Sequence, residues 1–204
     1  MKLADILVRL ESDGLILLAD ALFPSLVGLV TGESIKGSWW GHARGNEIYN
    51  LANEVEDHGD VLVTKLVSGK VTFVHRRLWP AVIGIGQANA TWQLKDLSPV
   101  ARALLKRVER EGEVRPEALV ADRSARAASF GKFITELEKR LLIQSAQIHT
   151  ESGAHARVVY SWETWANVRD FKTKPLVLSA ATAALEAVVE TLNHEHKAKG
   201  KLPW

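Results

Sequence analysis

Between residues 98 and 162 the apolar residues change from recurring every third or fourth position to recurring every second, and this switch limits the folds open to the chain. In "LSPVARALLKRVEREGEV", Ser98 stands as an N-cap and Pro99 at the first helical position. Val100, Leu104, Leu105 and Val108 then keep helical spacing until Gly112 ends the run. A short second element follows around "RPEALVA". In "DRSARAASFGKFITELEKRL", Asp122 or Ser124 serves as the cap and Phe130, Ile134, Leu137 and Leu141 form one stripe. "LLIQSAQIHTESGAHARVVYSW" then alternates about a polar, glycine-containing centre, the pattern of two strands and a turn. The order is helix, short helix, helix, hairpin.

That order predicts a winged helix-turn-helix, whose third helix enters the major groove of DNA and whose hairpin, the wing, reaches the backbone or minor groove. "TESGAHAR" is the wing tip. The first half repeats the end of the pattern. "GNEIYNLANEVEDHG" places Ile48, Leu51 and Val55 on one helical face, and "DVLVTKLVSGKVTFVHRR" reads as two strands turning at Ser68-Gly69. Each hairpin leads to an aromatic and a helix, "LWPAVIGIG" and "WETWANV". The fold class expected is mainly α with small β-hairpins, in a tandem winged helix-turn-helix-like architecture; a single mixed domain is the alternative. The units would be 1–95, winged-helix-like, 96–174, a C-terminal winged helix, and 175–204, a helix and tail, with the join near "QANATWQLKDLSP". The last helix carries Leu178, Leu185, Val188, Val189 and Leu192, an apolar face for its own chain or for a second copy in a homodimer. "AKGKLPW" reads as a loosely held tail.

The 204 residues are 47% hydrophobic and 25% charged, which suits a globular protein with a real core. Apolar runs such as "LILLADALF" are too short for a bilayer, so no membrane contact is expected, and "MKLADILVRL" lacks the pattern of a secretory signal. The absence of cysteine excludes disulfides and thiolate chemistry and fits a cytoplasmic protein. The formal charge of +2 conceals an asymmetry: residues 1–59 hold 4 Lys/Arg against 9 Asp/Glu, and residues 98–174 hold 14 against 10. A basic second half points to polyanions.

On a helical wheel the third helix turns Ala125, Ala128, Ser129, Lys132, Glu136 and Lys139 outward, with Arg123, Arg126 and Arg140 flanking. Small residues near its start allow close approach to a groove, and the cations suit phosphates, which give affinity without sequence information. His149, His155 and Arg157 in the wing, and Lys65, Lys70, His75, Arg76 and Arg77 in the first hairpin, would grip double-stranded DNA from two sides. Neither His149 with His155 nor His194 with His196 has a third ligand, so no metal or other cofactor is expected. "GESIKGSWWGHARGNEIYN" gathers Trp39, Trp40 and Tyr49, a set suited to stacking on a base, beside His42 and Glu47, which could serve an enzyme acting on damaged bases. The bland alternative is a structural corner. Phosphate-binding, zinc-protease and nucleophile-elbow motifs are missing.

Taken with "ELEKRLLIQSAQIHTESGAHARVVYSWETWA" and "KLVSGKVTFVHRRLWPA", the pattern resembles the winged-helix proteins around the AlkZ/YcaQ family of crosslink-repair DNA glycosylases. The resemblance implies tandem winged helices and duplex DNA as partner, with roles in DNA repair or transcription control. The Gln-x-Gln or Gln-x-Asp motif of that family has no counterpart in "QANA", "QLKD" or "QSAQ". The expected function is therefore DNA binding, with a glycosylase-like enzyme and a protein-interaction module as alternatives.

Overall fold

The computed structural model describes residues 1–35, 37–115, 126–149 and 155–204. It is mainly helical, with two small antiparallel sheets of three strands each. The chain divides into two compact units, one made of Met1–Val82 with Pro175–Trp204 and the other of Ile83–Lys174.

In the first unit α1 (Leu3–Asp13) leads to β1 (Leu15–Leu17), α2 (Leu26–Thr31), α3 (Gly45–Asp57), β2 (Val61–Thr64) and β3 (Thr72–His75). Ile6 and Leu10 lie one turn apart on α1 and are both fully buried. They join Ile16, Leu26, Val30, Ile48, Leu51, Val55 and Phe73 in one core. β3 is the middle strand, pairing Val74 with Leu15 on one side and His75 with Val61 on the other. The turn between β2 and β3 falls at Ser68 and Gly69, where the sequence places it, with φ of 54° and 66°. Lys70 N–H donates to Val67 C=O at 3.0 Å across it. The two successive positive φ values reverse the chain within the 65–71 loop, and glycine adopts the second at no steric cost.

Before α2, the Asp20 carboxylate accepts from the N–H groups of Leu22 and Phe23, both at 2.9 Å, and from Lys70 Nζ at 2.6 Å. Partial burial pushes its pKa up, but the Lys70 ammonium and the two N–H groups outweigh this and hold it below the ordinary carboxylate value. A depressed folded pKa contributes stability above the unfolded value, and that contribution is lost as pH falls through the folded one. Because Lys70 is half exposed, we expect Asp20→Asn to cost only about 0.5–1 kcal/mol at pH 7. Urea unfolding at pH 7 and pH 3 checks this: the gap between variant and wild type should close in acid, and equal stability at pH 7 would contradict it.

α9 (Leu178–His196) returns to this unit and buries Ala181, Leu185, Val189 and Leu192. The residues after it are held, where the sequence suggests a loose tail. Asn193 Nδ2 donates to Gly200 C=O at 2.9 Å, and Gly200 N–H returns a bond to Asn193 Oδ1 at 2.7 Å. Trp204 Nε1 donates to Glu186 at 2.8 Å.

The second unit contains the second half of α4 (Trp79–Gly86), then α5 (Thr91–Leu94), α6 (Pro99–Glu111), β4 (Glu113–Val114), α7 (Arg126–Lys139), β5 (Gln144–His149), β6 (His155–Tyr160) and α8 (Trp162–Val168). α6 begins as its sequence predicts, with Ser98 Oγ accepting from Ala101 N–H at 3.3 Å, and Gly112 at φ 74° ends it. Ala101, Leu104, Leu105 and Val108 pack with Val114, Ile134, Leu137, Ile143 and Val159. Leu141, the last residue of the predicted stripe, is buried but lies beyond α7, at φ 54°. β6 is the middle strand, with Val159 opposite Val114 and Tyr160 opposite Gln144. In both sheets, then, the last strand in the chain sits between the other two.

Among the described residues no helix is long and apolar enough to cross a membrane.

Candidate nucleic-acid interface

α7 carries Lys132, Glu136, Glu138 and Lys139, and the fold separates the two signs of charge. Glu136 reaches the start of α6, where its Oε1 accepts from Ser98 N–H at 2.9 Å and its Oε2 from Ser98 Oγ at 2.7 Å. A carboxylate there satisfies a free donor and meets the positive end of the α6 dipole. Glu138 is buried, accepts a hydrogen bond from Ser145 Oγ, and pairs with Arg157 on β6 at 3.4 Å. Lys132 and Lys139 remain exposed. Seven residues make two turns, so the two lysines lie on one side about 10 Å apart along the axis. The Lys132 ammonium also lies 4.9 Å from the Phe133 ring centroid. Sequence reasoning put Glu136 on the outward face because its partner Ser98 is 38 residues away. Ser98→Ala removes both the cap of α6 and a bond to Glu136. We expect it to cost about 1–2 kcal/mol, read as a lower urea midpoint with an unchanged slope; an unchanged midpoint would contradict this arrangement.

The other predicted contacts of this unit have mixed placements. Arg140 donates to the carbonyls of Trp92, Gln93 and Lys95, closing the end of α5. The fully buried Gln93 supports it, its Nε2 donating to the carbonyls of Ile85 at 3.1 Å and Arg140 at 2.9 Å. Arg140 therefore fixes the end of α7. Arg157 pairs with Glu138, which ties β6 to α7. Arg126 opens α7 and His155 opens β6. Arg123, the caps proposed at Asp122 and Ser124, residues 116–121 of the short second element and residues 150–154 of the predicted wing tip lie outside the described residues.

In the first unit Lys70 pairs with Asp20, and Lys65 lies half-buried in the loop after β2. Arg76 and Arg77 follow β3 in a single 3-10 turn. Arg76 stacks on Trp79 with its guanidinium carbon 5.2 Å from the ring centroid and meets Asp60 at 3.6 Å. Arg77 donates to the carbonyls of Glu11 and Ser12, at 3.2 and 3.1 Å, at the end of α1. α3 stands where α7 stands in the second unit, but it carries Glu47, Glu54, Glu56 and Asp57 and no lysine or arginine.

The aromatic stretch before α3 does assemble. Trp39 and Trp40 stack at 4.2 Å between centroids, Tyr49 lies 5.5 Å from Trp40, and both Trp40 and Tyr49 are exposed. The nearby charges are paired. Arg44 makes a bidentate bond to Glu47 at 2.7 and 2.6 Å and donates to Val30 C=O. The amino terminus lies 3.6 Å from Glu47, and His42 Nε2 lies 3.1 Å from Glu33. The hydrogen bond from Arg44 lowers the pKa of Glu47 below the ordinary value.

No family model, curated protein or solved structure matches the chain. An open cleft of about 240 Å³ on the first unit is lined by Arg9, Asp20, Phe23, Ser25, Glu33 and His196. Its polar groups are occupied: Arg9 bonds Asp13 at 2.5 Å and His196 at 3.1 Å, and Asp20 holds Lys70. Among the described residues no three His, Asp or Glu side chains are grouped to hold a metal ion.

Proposed function

We propose that the protein is a cytoplasmic, double-stranded DNA-binding protein built from two winged helices, acting in repair or transcription control, with α7 as the helix that meets DNA. One observation carries the reading: both carboxylates of α7 turn inward, to Ser98 and to Arg157, and leave Lys132 and Lys139 on the solvent side. The described elements of this unit, helix, strand, helix, strand, strand with the last strand in the middle of the sheet, are compatible with a winged helix in which α7 precedes the wing, the short second element expected around "RPEALVA" falling from residue 116 on outside the described residues. The ties from Arg157 to Glu138 and from Arg140 to α5 support it, because a helix that docks in a groove must be held rigidly. Lysine contacts to phosphate make affinity depend on salt rather than on sequence.

Fluorescence anisotropy with two unrelated short duplexes, between about 50 and 200 mM salt, tests the proposal. Binding should be similar for both duplexes, with the logarithm of the association constant falling linearly against that of salt. Binding insensitive to salt, or none at the lowest salt, would overturn it.

A further inference from the structure

The acidic α3 leaves the first unit without a helix suited to phosphate, yet the same unit builds a basic surface from two segments far apart in the chain. Ser68 N–H, in the turn between β2 and β3, donates to Lys201 C=O at 2.7 Å, and Lys201 N–H donates to Ser68 Oγ at 3.1 Å. Gly200 lies against the buried side chains of Phe23 and Val67, and a Cβ there would come within 2.8–2.9 Å of both. Asn193 clamps Gly200 from α9. The clip therefore sets Lys199 and Lys201 beside the loop that carries Lys65 and Lys70. Lys70, Lys199 and Lys201 are exposed. The Asp20 carboxylate is held by Lys70, and Lys199 and Lys201 stand exposed to solvent beside that pair.

We propose that this surface, made of the β2–β3 turn and the C-terminal segment clipped to it, is a second binding site for the phosphate backbone of duplex nucleic acid, with Lys199 and Lys201 as direct contacts. The inference rests on the duplex-binding reading and extends it: the first unit holds DNA by its wing and tail and not by its helix. Main-chain pairing makes the site more than a scatter of surface lysines, since it fixes both segments in place before the ligand arrives.

The test uses the full chain, with Lys199→Ala and Lys201→Ala together, in anisotropy titrations on a short duplex. Circular dichroism melting serves as the folding control. We expect binding weaker by roughly tenfold or more, and a salt slope shallower by about two. Gly200→Val, which cannot seat against Phe23 and Val67, should weaken binding in the same direction with every lysine intact. If wild type binds duplex in a salt-dependent way and the double variant does the same with an equal slope, the wing and tail site is wrong while α7 stands. If wild type fails to bind duplex at all, both readings fall. Capture by phosphatidylserine vesicles in that case would assign the patch to membranes instead.

Discussion

Gly86→Val is expected to lower the melting temperature by roughly 10 °C, a loss of about 3 kcal/mol or more. A Cβ at Gly86 would lie 2.2 Å from Trp162 Nε1 and 2.4–2.5 Å from two ring carbons of the same indole. The indole cannot retreat, because Trp162 is buried, its Nε1 donates to Leu141 C=O at 2.6 Å, and its ring packs edge-on against Trp165. Displacing it would break the bond at the left-handed turn that joins α7 to β5. Overpacking is felt here because a close-packed interior has no spare volume to absorb a methyl group. Total stabilities run to about 5–15 kcal/mol, so the effect is a large share of the whole. A melting temperature equal to that of wild type would show that Trp162 does not seat on Gly86.

The second large effect is on binding. Lys132→Glu with Lys139→Glu should weaken duplex binding by more than about 60-fold near 0.1 M salt, the amount that two lost phosphate contacts represent, since reversal adds repulsion to the loss. The change should be about the same for unrelated duplexes, because phosphate contacts carry no sequence information. Both side chains are exposed and neither is in the core, so the melting temperature should move little. An affinity within twofold of wild type would remove α7 from the interface.

Local chemistry made some of this fold readable in the sequence. Ser98, Pro99 and Gly112 bound α6, and Ser68-Gly69 marks the turn, because capping and positive φ are decided by neighbouring residues. The edge strands β1 and β4 were not readable. Three and two residues carry almost no periodicity, and their partners stand far along the chain, as with Leu15 opposite Val74. The site shows the same division. Lys132 and Lys139 follow from a helical wheel, whereas the inward turn of Glu136 depends on Ser98 and that of Glu138 on Arg157. Arg140 illustrates the cost of reading a wheel alone: a flanking cation on paper, it donates to carbonyls at the end of α5, more than forty residues earlier. The clipped tail depends on a pairing across 133 residues, which only the folded chain brings together.

Lysine acetylation footprinting, read by mass spectrometry with and without duplex, tests the central claim most directly. Lys132 and Lys139 should lose reactivity when duplex is bound, while Lys172, a highly exposed lysine beyond α8, should react equally in both states. Unchanged reactivity of Lys132 and Lys139 at saturating duplex would contradict the assignment of α7 as the helix that meets DNA.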